Sequence, residues 1–336
     1  MDAKMKNHQA NSQRYSNTEY KRCGNSGLRL PFVSLGLWHN FGAQNNLDLA
    51  RDMVLRAFDL GITHFDLANN YGPPPGSAES FFGQVLNTQL KPYRDELIIS
   101  TKAGYGMWDG PYGDWGSRKY LIASLNQSLQ RMNVDYVDIF YHHRPDPNTP
   151  LQETMKALSD IVKSGKALYI GLSNYDGGGL LKANKILQEL GTPCVIHQPR
   201  LNMLDREMEN EGVLSAANLS GIGTVPFSPL AQGMLSNKYL NGIPSDSRAS
   251  DPDGFLTPEQ ITQEKLNTII KLNEFAKARQ QTLPQLAISW LHAKESVTSC
   301  IIGASKISQI EELMATEKHT ALNENEMKAL DLILQV

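Results

Sequence analysis

The run His64-Phe65-Asp66-Leu67-Ala68-Asn69-Asn70-Tyr71-Gly72-Pro73-Pro74-Pro75-Gly76-Ser77-Ala78-Glu79 decides the fold. Ile62 to Ala68 is largely apolar and reads as a strand with one carboxylate set into it. An Asp inside an apolar strand is costly unless something pairs with it. Three prolines then stiffen a loop, and from Ser77 the chain reads as a helix burying Phe81, Phe82, Val85 and Leu86. The unit is strand, loop, helix, with Tyr71 at the strand's exit. In a βα barrel such exit loops build the active site. A strand Asp and a loop Tyr can also be structural posts, so the rest of the chain must decide.

Working outward, the same unit recurs. Strand one is Phe32 to Trp38, and Leu47 to Leu60 follows with helical spacing, closed by Gly61. Strand three is Leu97 to Lys102; a Gly- and aromatic-rich loop runs from Ala103 to Gly116, and a helix from Ser117 to Met132. Strand four is Tyr136 to His143. Thr149-Pro150-Leu151-Gln152 reads as a helix start, with Thr149 as cap, Pro150 first and Gln152 closing a capping box, the helix running to about Ser164. Strands five to eight are Ala167–Ser173, Cys194–Gln198, Gly223–Phe227 and Ser299–Gly303. Amphipathic stretches lie around 180–190, 205–219, 262–280 and 283–293, and a terminal helix is capped by Asn323. Tyr20 to Leu30, turning at Gly24-Asn25-Ser26-Gly27, predicts a small hairpin.

Eight strand–helix alternations predict an α/β fold: one (β/α)8 TIM barrel over residues 19–336, with an N-terminal β-hairpin and extra C-terminal helices. Residues 1–18 are polar, lack an apolar core, and read as a flexible leader rather than a secretory signal. The interval Gln232–Thr257 has little periodicity and follows strand seven on the active-site face; a loop that long is usually functional or mobile. A formal charge of -3 offers no attraction to nucleic acid or anionic membrane. No apolar run suits a transmembrane helix. Cys23, Cys194 and Cys300 are far apart and read as reduced thiols of a cytoplasmic protein; no Cys/His set has zinc spacing, so no metal is expected.

Asp66, Tyr71, Lys102 and His143 all fall at strand ends or exits and would converge on one mouth. Their types fit one chemistry. A phenol of ordinary pKa, about 10, shares a proton poorly near neutrality. A Lys ammonium beside it should lower that value, Asp66 can balance the Lys, and a neutral His can orient a carbonyl oxygen. His142 faces the other side of its strand and reads as a packed or hydrogen-bonded residue.

This set resembles the tetrad of the aldo-keto reductases. The resemblance spans about Tyr20 to Leu313 and rests on Phe65-Asp66 with Tyr71-Gly72, Ser100-Thr101-Lys102, His143-Arg144-Pro145-Asp146-Pro147-Asn148-Thr149-Pro150, Gly171-Leu172-Ser173-Asn174, Ser228-Pro229-Leu230-Ala231-Gln232-Gly233 and Ile302-Gly303-Ala304-Ser305. Tyr71-Gly72-Pro73-Pro74-Pro75-Gly76-Ser77-Ala78-Glu79 and Lys102-Ala103-Gly104-Tyr105 look like the branch holding L-glyceraldehyde 3-phosphate reductase and the potassium-channel β subunits.

No convincing G-x-G-x-x-G occurs, so a dinucleotide must be held without a Rossmann fold. The resemblance implies NADP(H) across the barrel mouth. Trp38 and Gln44 match positions near the nicotinamide; Ser173, Asn174 and Gln198 those that hold its amide; Phe227 the ring that stacks on it. Ser228, Pro229, Leu230, Gln232 and Lys238 match the pyrophosphate segment, and Arg248 a basic position on that loop. Gly303, Ser305, Lys306, Gln309 and Glu312 match the adenosine end; Leu313 departs from the Asn that relatives carry. Trp38, Tyr105, Met107 and Trp108 are candidates for the substrate wall, and Arg118, Lys119 and Arg144 for a substrate phosphate. The resemblance implies NADPH-dependent reduction of a small aldehyde, such as glyceraldehyde 3-phosphate or methylglyoxal, by a chain that could form a homo-oligomer. The competing reading is a nucleotide-sensing subunit. His143 stands where the channel subunits carry Asn, which favours the reductase.

Overall fold

The structure, a computed structural model, describes residues 7–16, 18–240, 242–245, 247–250, 254–319 and 321–335. Eight parallel strands form its centre: β3 (Val33–Gly36), β4 (His64–Asp66), β5 (Ile98–Ala103), β6 (Val137–His142), β7 (Ala167–Ser173), β8 (Cys194–Gln198), β9 (Gly223–Thr224) and β10 (Cys300–Ile302). They pair in chain order, with β10 beside β3. The sheet curls until its two ends meet. Thr298 N–H donates to Thr224 O at 2.8 Å, and Ile301 N–H to Pro226 O at 2.9 Å. This is the predicted barrel. Strands two, seven and eight are shorter as ladders than the apolar runs that announce them, although single backbone bonds extend them, such as Leu67 N–H to Ser100 O at 2.9 Å.

The strand period sorts side chains into two cores. Outward residues such as Phe65, Leu67, Ile99, Phe140 and Leu172 pack under the helices. Inward residues Ile139, Tyr141, Ile196, Val225 and Ile301 fill the barrel. The hairpin β1 (Tyr20–Arg22) and β2 (Arg29–Pro31) plugs it from below with Cys23, Leu28 and Leu30. The Cys23 and Cys194 thiols are buried, which pushes both up to about 12 and leaves them inert.

Between the strands lie α1 (Leu47–Asp59), α2 (Ser77–Val85), α3 (Arg118–Met132), α4 (Leu151–Lys163), α5 (Gly177–Glu189), α6 (Glu207–Asn210) and α7 (Val213–Ser220). After β9 come α8 (Gln263–Ala278) and α9 (Leu283–His292), then α10 (Ile307–Met314) and α11 (Glu324–Leu334) beyond β10. Helix α1 buries Met53, Val54 and Phe58 on one face, each contributing about 1.5–3 kcal/mol. Asn323 caps α11 in a capping box with Glu326.

Two expectations change. Thr149 does not cap α4; the helix begins at Leu151 with Pro150 as its flanking residue and no side-chain cap. Asp146 takes the Asn148 and Thr149 N–H groups first, at 2.8 and 3.1 Å, and forms a turn there instead. Residues 7–16 of the predicted leader are docked on the barrel: His8 meets Asp59 at 2.9 Å, and Tyr93 holds both His8 O and Ala10 N–H at 3.1 Å. Residues 1–6 lie outside the described residues. Among the described residues, no helix is long and apolar enough to cross a membrane.

Candidate active site

Asp66 ends β4, opposite Ser100 of β5 in the parallel register, and Lys102 stands two residues beyond Ser100 on the same inward face. Period two therefore brings both side chains into the barrel. Lys102 Nζ donates to Asp66 Oδ2 at 2.5 Å, Leu67 O at 2.7 Å and the Tyr71 hydroxyl at 3.2 Å. An ammonium has three protons, so all are spent. The Tyr71 oxygen accepts one of them, which leaves its own proton free to point elsewhere. Asp66 Oδ1 accepts from Ser100 at 2.7 Å and Gln198 at 3.1 Å. On the outward face, buried Glu79 of α2 takes Thr101 at 2.5 Å and Arg131 at 2.7 Å, fixing α2 to β5. Tyr71 is anchored by the start of α2, where Gly76 and Ala78 N–H both donate to its carbonyl. Gly76 sits at φ 85, a conformation that suits glycine.

His143 follows β6 and turns inward. Its ring meets Tyr71 edge-on at 6.0 Å and Tyr105 at 4.7 Å. His142 faces outward, its Nδ1 2.6 Å from the Tyr175 hydroxyl. Burial pulls His143 well below its ordinary value, and Lys102, His142 and Arg144 lower it further, so it is neutral near pH 7. Burial also lowers Lys102, opposed by Asp66 and Glu79. Tyr71 differs from expectation. Burial pushes its phenol well above 10, and the charge of Asp66 adds to this. The ammonium does not offset them because Asp66 sits against it. Tyr71 is therefore held protonated.

Of these groups Asp66 and Tyr71 line a cleft, while Lys102 and His143 lie behind its lining. Trp38, Asp66, Tyr71, Phe227, Ser228, Pro229, Leu230, Gln232, Lys238, Arg248, Gly303, Ser305, Gln309 and Glu312 all line it. The loop after β9 carries Ser228, Ala231 and Gln232 at φ 54, 47 and 58, a strained run for residues other than glycine, of the kind that collects at ligand sites. Gln232 Oε1 is buried there without a partner among the described residues. The Arg248 guanidinium lies over Gly303, 3.5 Å from where a Cβ would stand. Burial lowers it, and no carboxylate among the described residues pairs with it.

Other expected residues fall elsewhere. Gln44 is exposed on the loop after β3, and Lys306 is exposed where α10 begins; neither lines the cleft. Ser173 Oγ donates to Gln198 O at 2.7 Å, and Asn174 to His143 O at 3.0 Å, so these two brace the strand ends. Gln309 is engaged by Ser305 N–H at 2.8 Å. Arg144 donates to Gly104 O and Asp114 and lies between the rings of Tyr105 and Trp115, at 4.3 and 3.6 Å; Arg118 pairs with Asp160 at 2.6 Å. Both cations are thus committed to protein partners. Trp108 packs on Tyr120 at 5.3 Å, beside the site rather than in it. Sequence reasoning missed His39, Asn40, Ser236 and Tyr239 in the lining, and Phe255, whose ring lies 5.0 Å from Trp38. Only the position of Phe255 in the long loop after β9 hinted at it.

The model of the "Aldo/keto reductase family" matches residues 33–335. The chain belongs to the aldo/keto reductase family. An L-glyceraldehyde 3-phosphate reductase of Escherichia coli is 53% identical over 325 residues, covering 96% of this chain and 94% of that one. A probable voltage-gated potassium channel subunit beta of Oryza sativa is 34% identical over 318 residues, covering 94% and 92%. Among solved structures, a thermostable aldo-keto reductase in complex with the inhibitor epalrestat superposes with a TM-score of 0.74 at 29% identity, covering 94% of this chain and 99% of that one. This aldo/keto reductase is thus an oxidoreductase by family, and its relatives support aldehyde reduction.

Proposed function

We propose that the protein reduces small aldehydes, with glyceraldehyde 3-phosphate and methylglyoxal as first candidates, using NADP(H). The observation that carries this reading is the spent ammonium of Lys102, which leaves the Tyr71 proton available over the cleft. The cleft suits a dinucleotide: it offers a guanidinium that no carboxylate among the described residues pairs with, and the ring of Phe227. When bound, the cofactor supplies a hydride to the carbonyl carbon.

In this reading the chain's own groups do the rest. Tyr71 gives its proton to the carbonyl oxygen as negative charge develops there. Lys102 donates to the Tyr71 oxygen throughout and stabilises the phenolate that is left. Asp66 and Leu67 O hold that ammonium in place. Neutral His143 orients the carbonyl by one hydrogen bond, and Trp38 lines the side of the pocket.

The test is oxidation of NADPH, followed by its absorbance, with each aldehyde, beside a fluorescence titration of NADPH. Turnover with either aldehyde, abolished in Tyr71→Phe while NADPH still binds, is the expected result. Tight binding with negligible turnover across a broad aldehyde panel would replace this reading with a nucleotide-sensing subunit. Loss of both binding and turnover in Tyr71→Phe would make Tyr71 structural.

A further inference from the structure

A file of hydrogen-bonded side chains crosses the barrel interior beneath the cleft. Ser299 Oγ lies 2.7 Å from Ser34 Oγ, and Ser34 Oγ 2.8 Å from His64 Nδ1. His64 Nε2 lies 3.0 Å from Ser100 Oγ, and Ser100 Oγ 2.7 Å from Asp66 Oδ1. The file passes from the residue before β10 through β3 and β4 to β5, four neighbouring strands. Every member is buried, none more than 1% exposed. Apolar side chains would fill such a layer at less desolvation cost.

The proton count gives the file a direction. As the carboxylate of an ion pair, Asp66 only accepts, so Ser100 donates to it. The single proton of Ser100 is then spent, and Ser100 can only accept from His64, so Nε2 carries a proton. Burial pulls His64 down to about 4; Asp66 favours its charged form and Lys102 opposes it. The ring is therefore neutral near pH 7, and Nδ1 is bare. Ser34 must donate to Nδ1 and can then only accept from Ser299, whose hydroxyl also has Phe32 O at 3.4 Å. From Ser34 through His64 and Ser100, each donor points toward Asp66.

We propose that His64 and Ser100 are positioning residues of the reductase site, this file holding the Ser100 proton on Asp66 Oδ1 so that Oδ2 is kept for Lys102. The inference rests on the proposed reduction for its consequence, but its geometry stands apart from it. Ser100 and Gln198 together share the charge of Asp66. Without the Ser100 donor, Asp66 would draw harder on the ammonium, and Lys102 would support the developing phenolate of Tyr71 less well. The mechanism already described needs Asp66; it does not need a histidine three hydrogen bonds deeper than Lys102.

Two measurements test it. The first is the histidine tautomer in the 15N-labelled wild-type protein between pH 6 and 8, the His64 signals being assigned by their loss in His64→Asn. A neutral ring protonated at Nε2 is expected. A ring protonated at Nδ1, or an imidazolium, would reverse the file and overturn the proposal, whatever the enzyme does. The second is kinetic. Ser100→Ala should lower kcat roughly tenfold, leave NADPH affinity unchanged and move the alkaline midpoint of the kcat profile upward. His64→Gln, whose amide nitrogen reaches the place of Nε2, should keep the wild-type profile; His64→Asn, which reaches only the place of Nδ1, should follow Ser100→Ala. Identical pH profiles in all three variants and the wild type would reduce the file to packing. An inactive wild type with the expected tautomer would instead defeat the proposed reduction and leave the direction of the file intact.

Discussion

Replacing Lys102 with Met keeps most of the side-chain volume and removes the charge. Lys102 is 0% exposed and Asp66 1%, with Nζ 2.5 Å from Oδ2. Removing one member of so buried a pair leaves an uncompensated carboxylate, at a cost of about 3–5 kcal/mol. Asp66 would keep its donors Ser100 and Gln198, which places the expected loss near the lower end, about 3 kcal/mol. The loss should also depend on pH. In the variant the orphaned carboxyl holds its proton more tightly when folded than when unfolded. The folded variant therefore binds more protons, and its deficit against the wild type narrows as pH falls from 8 toward 4. Lys102→Met/Asp66→Asn leaves no unpaired charge and should recover at least about 2 kcal/mol. The assay is urea unfolding followed by the fluorescence of the four tryptophans, at pH 8 and pH 5. Turnover should fall by at least a hundredfold in the single variant, the lower end for losing an acid–base contribution. A single variant within about 1 kcal/mol of the wild type at pH 8, or a double variant less stable than the single, would refute the reasoning about charge burial. A rate within a few-fold of the wild type would refute the support of Tyr71 by Lys102.

Arg248→Gln should weaken NADPH binding on the order of tenfold, because it removes a charged donor that no carboxylate among the described residues pairs with. An unchanged dissociation constant in a fluorescence titration would take Arg248 out of the site. Acid should destabilise the wild type: burial lowers His64 and His142 to about 4 and His197 to about 3, so the unfolded chain binds more protons below the ordinary value of about 6.5. Stability should then fall as pH drops from about 6.5 toward 4, by up to about 1.4 kcal/mol per pH unit for each ring. Flat urea midpoints across that range would contradict it. Gly171→Ala places a Cβ 2.3 Å from the Tyr141 ring and should cost about 1–3 kcal/mol by overpacking, read as a lower thermal midpoint. An unchanged midpoint would mean that Tyr141 moves freely.

The sequence alone determined the barrel, because eight apolar runs at strand length alternate with amphipathic helical stretches and few topologies accept that order. It also determined which strand-end residues meet. Asp66, Lys102 and His143 lie on the inward parity of their strands, and the same parity turned His142 outward to Tyr175. Local chemistry was legible where the partners are close in the chain, as in the capping box of Asn323 and Glu326. Contacts between residues far apart in sequence needed the tertiary structure. Ser34 is a single small polar residue in an apolar strand, Ser100 and Ser299 sit beside other polar residues, and nothing near them announces a shared file with His64. Their meeting depends on the register of four parallel strands, which only closure of the barrel sets. The commitment of Arg144 to Asp114 and two aromatic rings, and the position of Gln44 outside the cleft, likewise follow from how loops fold over the mouth. The rise in the Tyr71 phenol has the same origin. Residue types suggested that Lys102 would lower it, but burial and the nearness of Asp66 outweigh one ammonium, and only the packed structure decides how much water reaches that hydroxyl.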